Sequence, residues 1–203
     1  FKEYQELLGV PVDMNEVFGK LYNHALTGNA DCGGLISYNY ISGEPVTGLA
    51  EGRPLFVRSA NDKFNLANFM RSHLYASVGV LKIGNDILFN DEKIRVDRIT
   101  GHGGLFKTKG VGQRVLAAAI NSPISVMETA GEGGAWGIAL LAGYMVNNTK
   151  NQSLADYLEE VVFAGDAGVE IAPTPEEVEG FNTYIKNYIA CLPAEQAAVN
   201  SKK

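Results

Sequence analysis

The longest run of helically spaced apolar positions lies between about Asn65 and Phe89, where Leu66, Phe69, Met70, Leu74, Val78, Leu81 and Leu88 recur every three or four residues. That spacing lines one side of an α-helix and predicts a central packing element. Upstream, Phe1, Tyr4, Leu7 and Leu8 share one stripe of a short helix, which breaks at Gly9-Val10-Pro11 before a second helix to about Thr27. Asp13 and Glu16 open that second helix with the spacing of a capping box, in which each side chain satisfies the other's free backbone donor. Gly34 to Tyr38 reads as a short apolar strand, and Ser42 to Arg53, with Gly43, Pro45, Gly48 and Gly52, reads as turns.

Downstream of the long helix, Ile94 to Ile99 alternates apolar and polar as a strand does and leads into Gly101-His102-Gly103-Gly104. A helix from about Thr108 to Ile120, a strand from Ile124 to Met127 and a second glycine turn, Gly131-Glu132-Gly133-Gly134, follow. The next segment, Ala135 to Val146, is apolar nearly all round, so a helix buried on several sides is expected. Thr129 with Glu132, and Ser153 with Asp156, have cap spacing. Thr174-Pro175-Glu176-Glu177 starts a last helix with the stripe Phe181, Ile185, Tyr188 and Ile189. Beyond Pro193 little is left to pack, so residues 1–192 read as one domain and 193–203 as a flexible tail. Strand, glycine turn and helix, twice over, is an α/β pattern whose ligands sit at the strand ends.

Composition narrows the function. A net charge of −6 with no Lys/Arg cluster larger than a few residues argues against nucleic acid as a main partner. No apolar run approaches a bilayer span, so a membrane partner is not expected. Cys32 and Cys191 have no metal-ligand spacing and fit a reducing cytoplasm. The polar start Phe1-Lys2-Glu3-Tyr4-Gln5-Glu6 has no secretory character, and because Phe1 already belongs to a helix the chain reads as a piece of a longer one.

The glycine turns carry the candidate chemistry. Glycine adopts positive φ and lets a flat or charged ligand approach the main chain without a Cβ in the way. Gly103 and Gly104 would let a base or ribose lie against the peptide, with Lys107, Thr108 and Lys109 as donors near the start of the next helix. The alternative is that the glycines only make tight turns. Gly101 to Gly104 lacks the dinucleotide-fold spacing and its later acid, and no Gly-Lys-Ser/Thr loop occurs, so two common nucleotide folds are disfavoured.

Four segments in order resemble the C-terminal domain of the FGGY carbohydrate kinases. They are Gly33-Gly34-Leu35-Ile36-Ser37-Tyr38-Asn39-Tyr40-Ile41-Ser42-Gly43-Glu44, then Arg71-Ser72-His73-Leu74-Tyr75-Ala76-Ser77-Val78, then Gly103-Gly104 with Gln113, then Ala135-Trp136-Gly137-Ile138-Ala139-Leu140-Leu141-Ala142-Gly143. The likeness spans about Gly33 to Tyr144 and is greatest to the ketopentose members, the L-ribulokinases and xylulokinases. It implies an actin-like ATPase (ribonuclease H-like) domain, a mixed sheet flanked by helices, forming the C-terminal lobe of a two-lobed enzyme that transfers the ATP γ-phosphate to a sugar. On that resemblance Gly103 and Gly104 approach the adenosine, Lys107 lies near its base or ribose, and Mg²⁺ accompanies ATP. The catalytic aspartate belongs to the N-terminal lobe, so no catalytic residue is assigned and this chain alone is expected to be inactive. The sugar, that lobe and a second copy in a homodimer are the partners considered. Two departures stand out: Gly79-Val80 occupies a place usually acidic or amide, and Pro45 follows Glu44 where Arg is common.

Other conspicuous residues have plainer readings. His73 is expected to pack rather than act as a base, and Trp136 to pack rather than stack on a nucleotide base; Tyr38 and Tyr40 read as sheet packing, with lining of the cleft as the alternative. Glu128 and Glu132 flank the second turn, where a cap accounts for Glu132, while His102 beside the glycines could touch nucleotide or cap the turn. An actin-like module that changes conformation or assembles without a sugar is the competing function, and nicotinamide binding at Gly101 to Gly104 a weaker one.

Overall fold

Leu66 to Asp86 form one helix, α3, in the computed structural model of the protein, which describes residues 1–96, 99–127, 130–131, 133–148, 151–164 and 168–201. Asn65 caps α3 by accepting the Asn68 N–H at 2.9 Å, a contact worth about 1 kcal/mol. The helix buries polar as well as apolar residues, and each polar one is bonded. Asn68 accepts the Asn29 N–H at 2.7 Å and donates to the Lys63 carbonyl at 2.8 Å. Arg71 donates to the Leu26 and Gly28 carbonyls at 3.3 and 3.0 Å and to the Tyr75 hydroxyl at 3.1 Å. Its guanidinium thus meets the unsatisfied carbonyl end of helix α2 (Met14–Ala25), where a cation also suits the helix dipole.

Before α2 comes the short helix α1 (Lys2–Leu7), whose apolar stripe is exposed at Tyr4 and Leu7. Asp13 caps α2 through the Asn15 N–H, while Glu16 turns instead to Lys20, so the reciprocal box does not form. Strand β1 (Ile36–Tyr38) pairs antiparallel with β2 (Leu55–Val57), and Ser37 Oγ lies 2.8 Å from Ser72 Oγ of α3. Between the strands, Glu44 bends back to accept the Val46 N–H at 3.0 Å.

The second sheet has the order β3 (Ile99–Thr100), β4 (Ile124–Val126), β5 (Val169–Ile171). Helix α4 (Val111–Ile120) carries the chain from β3 to the parallel strand β4, and β5 runs antiparallel. Gln113 of α4 is buried and donates to the Ile124 and Val169 carbonyls at 3.1 and 2.7 Å, tying α4 to both strands. The observed mixed sheet with flanking helices agrees with the expected fold class.

Helix α5 spans Gly133–Asn147, α6 spans Leu154–Tyr157, and α7 spans Pro175–Ser201. Rings of α3, β1 and α7 form the centre of the core: Tyr75, Phe181, Tyr184, Tyr188 and Tyr38 are all buried and meet in sequence. The Tyr38 hydroxyl donates to the Tyr188 carbonyl, which satisfies both in the interior. The predicted caps at Ser153 and Thr174 are present: Asp156 N–H donates to Ser153 and Glu177 N–H to Thr174. Among the described residues no helix is long and apolar enough to cross a membrane.

Several elements differ from the sequence reading. The strand expected from Ile94 is limited to Ile99–Thr100, with Ile94 and Val96 exposed; Asp97 and Arg98 lie outside the described residues. Helix α4 begins at Val111, because Gly110 at φ 78° interrupts helical backbone. Helix α5 is not buried: Ile138 and Met145 are 70% and 82% exposed. Trp136 meets Phe163 and Tyr144 meets Tyr157, so one side is covered, and no other described element covers the rest. The supposed tail from Pro193 is helix, since α7 continues to Ser201 with Glu195 and Val199 buried. Burial there offsets the bond that an interior proline removes.

Glu195 accepts the Arg53 N–H at 2.8 Å, but its second oxygen finds no donor among the described residues. Burial raises its carboxyl pKa above the ordinary range, against the opposing pull of the Arg53 N–H and charge. A raised folded pKa means that its contribution is fully present below the unfolded pKa and is lost as pH rises through the folded one. Glu195→Gln keeps an acceptor for Arg53, so urea midpoints should show it stabilising the protein at about pH 7 and hardly at about pH 4; an equal effect at both would contradict this.

Candidate functional site

Parallel pairing of β3 and β4 puts the turns that follow them side by side. Gly101 N–H donates to the Ser125 carbonyl at 2.9 Å, and Gly103 N–H to the Ala130 carbonyl at 2.8 Å. Gly103 reaches that bond with φ 105°, a backbone state that side-chain-bearing residues rarely adopt. Gly104 then begins a tight helical turn to Lys107. A Cβ on Gly103 or Gly104 would meet no atom of the described residues within 4 Å, so among these the main chain there is bare. Gly101 is different, because a Cβ would strike the Phe106 ring, and its missing side chain serves packing.

Lys107 spans the two turns. Its methylene stem lies against Gly131, 3.3 Å from where a Cβ would stand. His102 likewise abuts Gly133, with Nδ1 3.1 Å from that residue's Cβ position. Two cavities open beside the bare glycine segment. One of about 400 Å³ is lined by Asn15, Phe18, Tyr22, Gly104, Lys107 and Thr108. The other, of about 640 Å³, includes Phe106, Lys109, Gln113, Met127, Gly131 and Ile171. Asn15 and Lys107 belong to both walls, so the cavities adjoin. A further groove of about 590 Å³ lies on α7 around Asn121, Glu179 and Lys186 and contains none of the glycine-turn residues.

Gly104 and Lys107 therefore line one cavity, with Gly103 next to it. His102 is exposed at its edge. The remaining sequence candidates lie elsewhere. His73 packs edge-on against Phe69 and faces Asn39 at 3.2 Å, and burial lowers its pKa. Tyr38 and Tyr40 belong to the tyrosine core and Trp136 packs on Phe163. Glu128, Thr129 and Glu132 lie outside the described residues. Asn15, Phe18 and Tyr22 were not anticipated; the only signal was an aromatic pair one helical turn apart. Among the described residues no three acidic, His or Cys side chains gather as a metal cage.

The mixed sheet with its flanking helices is of the actin-like ATPase fold. Residues 11–146 match the C-terminal domain of the FGGY family of carbohydrate kinases, and the chain belongs to that family. No curated protein matches it by sequence. Among solved structures it is similar to the ligand-bound xylulose kinase of Lactobacillus acidophilus, at 22% identity and TM-score 0.68, over 89% of this chain and 35% of that one. It is similar to the gluconate kinase of Lactobacillus acidophilus at 23% identity and TM-score 0.63, over 89% of this chain and 34% of that one. The glycerol kinase of Plasmodium falciparum with ADP gives 18% and 0.62, over 95% of this chain and 36% of that one. The chain thus spans a little over a third of the length of these kinases, and the likeness is one of fold.

The two glycines should respond oppositely to a methyl group. Gly104→Ala fits open space and should change stability by less than about 1 kcal/mol in urea unfolding, whereas Gly103→Ala forces a disfavoured φ and should cost about 1–3 kcal/mol. The reverse order would contradict the backbone described.

Proposed function

We propose that the chain is the ATP-binding lobe of a carbohydrate kinase that transfers the ATP γ-phosphoryl group to a hydroxyl of a ketopentose such as ribulose or xylulose. The observation that carries this reading is the bare main chain at Gly103 and Gly104, set beside two adjoining cavities that share Lys107. The family supports a sugar as acceptor. The choice of a ketopentose rests on the likeness in sequence from Gly33 to Tyr144, since gluconate and glycerol kinases share the fold.

Phosphoryl transfer asks the protein chiefly to position reactants and neutralise charge. Gly103 and Gly104 would seat the adenosine against the peptide, and Lys107 would stand by the base or ribose. The bond from the γ-phosphorus to the departing ADP oxygen breaks as one to the sugar oxygen forms. The hydroxyl proton goes to a base in the N-terminal lobe, the partner that completes the enzyme. Mg²⁺ would arrive on the nucleotide phosphates, its usual mode of binding, and no residue of this chain is assigned to it. A second copy of the chain is a further proposed partner, and the cytoplasm the proposed location.

The test is an ADP-release assay of the complete protein over ketopentoses, hexuloses, glycerol and gluconate. Release should be greatest with a ketopentose, and this chain alone should bind ATP weakly without turnover. Sugar-dependent release by the chain alone would overturn the assignment of the base to another lobe. Nucleotide turnover indifferent to every sugar would favour an actin-like module that moves or assembles instead.

A further inference from the structure

The smaller cavity holds a surface that the reading above leaves unused. Besides Gly104, Lys107 and Thr108, its walls are Asn15, Phe18 and Tyr22, three residues on one face of α2. Phe18 and Tyr22 have ring centroids 5.7 Å apart. Tyr22 is packed on the core and gives the pair a firm footing, while Phe18 remains 46% exposed beside the buried Val17. The burial of α2 against α3 does not account for a ring left facing this cavity. The Asn15 backbone N–H is taken by Asp13, but its side-chain amide makes no hydrogen bond among the described residues and offers a donor and an acceptor.

Aromatic rings, a bare peptide and an unengaged amide suit a flat ring system with a polar edge. A nucleobase stacks on aromatic side chains through its face, and an asparagine amide matches the donor and acceptor edge of adenine. The larger cavity, with Lys109 as well as Lys107, suits the anionic remainder. Resting on the nucleotide reading above, we propose that the adenine base occupies the smaller cavity, against the Phe18–Tyr22 face of α2 with its edge at Asn15. Ribose and phosphates then lead away past Lys107. Phe18 and Asn15 become determinants of base specificity, and α2 becomes part of the nucleotide site.

The test uses the full chain with ATP, adenosine, UTP and inorganic tripolyphosphate as probes. Phe18→Ala removes a half-exposed ring and should leave the circular dichroism spectrum unchanged. It should weaken ATP and adenosine about tenfold, the loss of one stacking contact, and leave tripolyphosphate unaffected. Phe18→Trp should keep the affinity and report it, its fluorescence being quenched by adenosine beyond any response of Trp136 in the parent. Asn15→Ala should narrow the preference for ATP over UTP. If Phe18→Ala binds ATP like the parent while Gly104→Val loses it, the base lies elsewhere and this inference fails though the nucleotide reading stands. A parent chain that binds neither ATP nor adenosine overturns both.

Discussion

The hydrogen bond from Gly103 N–H to the Ala130 carbonyl, 2.8 Å long, locks the end of β3 to the turn that follows β4. Gly103 makes it at φ 105°, and Gly104 beside it is exposed, with no atom of the described residues within 4 Å of a Cβ placed there. A side chain at Gly103 would cost strain, and one at Gly104 would fill the space where a ligand could meet the peptide. The candidate site follows from this: Lys107 stands three residues on, at the end of the same tight turn, with its stem across Gly131.

The rest of the fold holds the facing wall in place. Helix α2 reaches the glycine turn through Asn15, Phe18 and Tyr22, and α3 fixes its far end through Arg71 on the Leu26 and Gly28 carbonyls and Asn68 on Asn29. Hydrogen bonds of the charged Arg71 contribute roughly 1.5–3 kcal/mol each and those of the neutral Asn68 roughly 0.5–1.5 kcal/mol, so two buried polar side chains hold the end of α2. Gln113 performs the same service from α4, keeping β4 and β5 beneath the larger cavity. The candidate site is thus positioned by a polar scaffold behind it.

Much of this was legible in the sequence because local rules decided it. The spacing from Leu66 onward predicts α3, Thr174 and Glu177 predict the start of α7, and the paired glycine turns predict where a ligand could approach. Non-local packing decided the rest. The apolar circumference of Ala135 to Val146 predicts burial, but burial needs a neighbour, and no described element covers the side bearing Ile138 and Met145. Pro193 suggests a helix end, yet Glu195 and Val199 bury against the body of the fold and carry α7 onward. Phe18 looked like one more apolar residue in an amphipathic helix, and only the approach of α2 to Gly104 shows that its ring faces a cavity.

The account depends on whether an adenine nucleotide meets the main chain between β3 and α4. Amide NMR of the nitrogen-15-labelled chain titrated with ATP addresses this directly, since Gly103, Gly104 and Lys107 each report through a backbone N–H. Saturable shifts of those three amides, with Phe18 and Tyr22 following, are predicted. Shifts confined to the α7 groove around Asn121 and Lys186, with the glycine amides still, would contradict it.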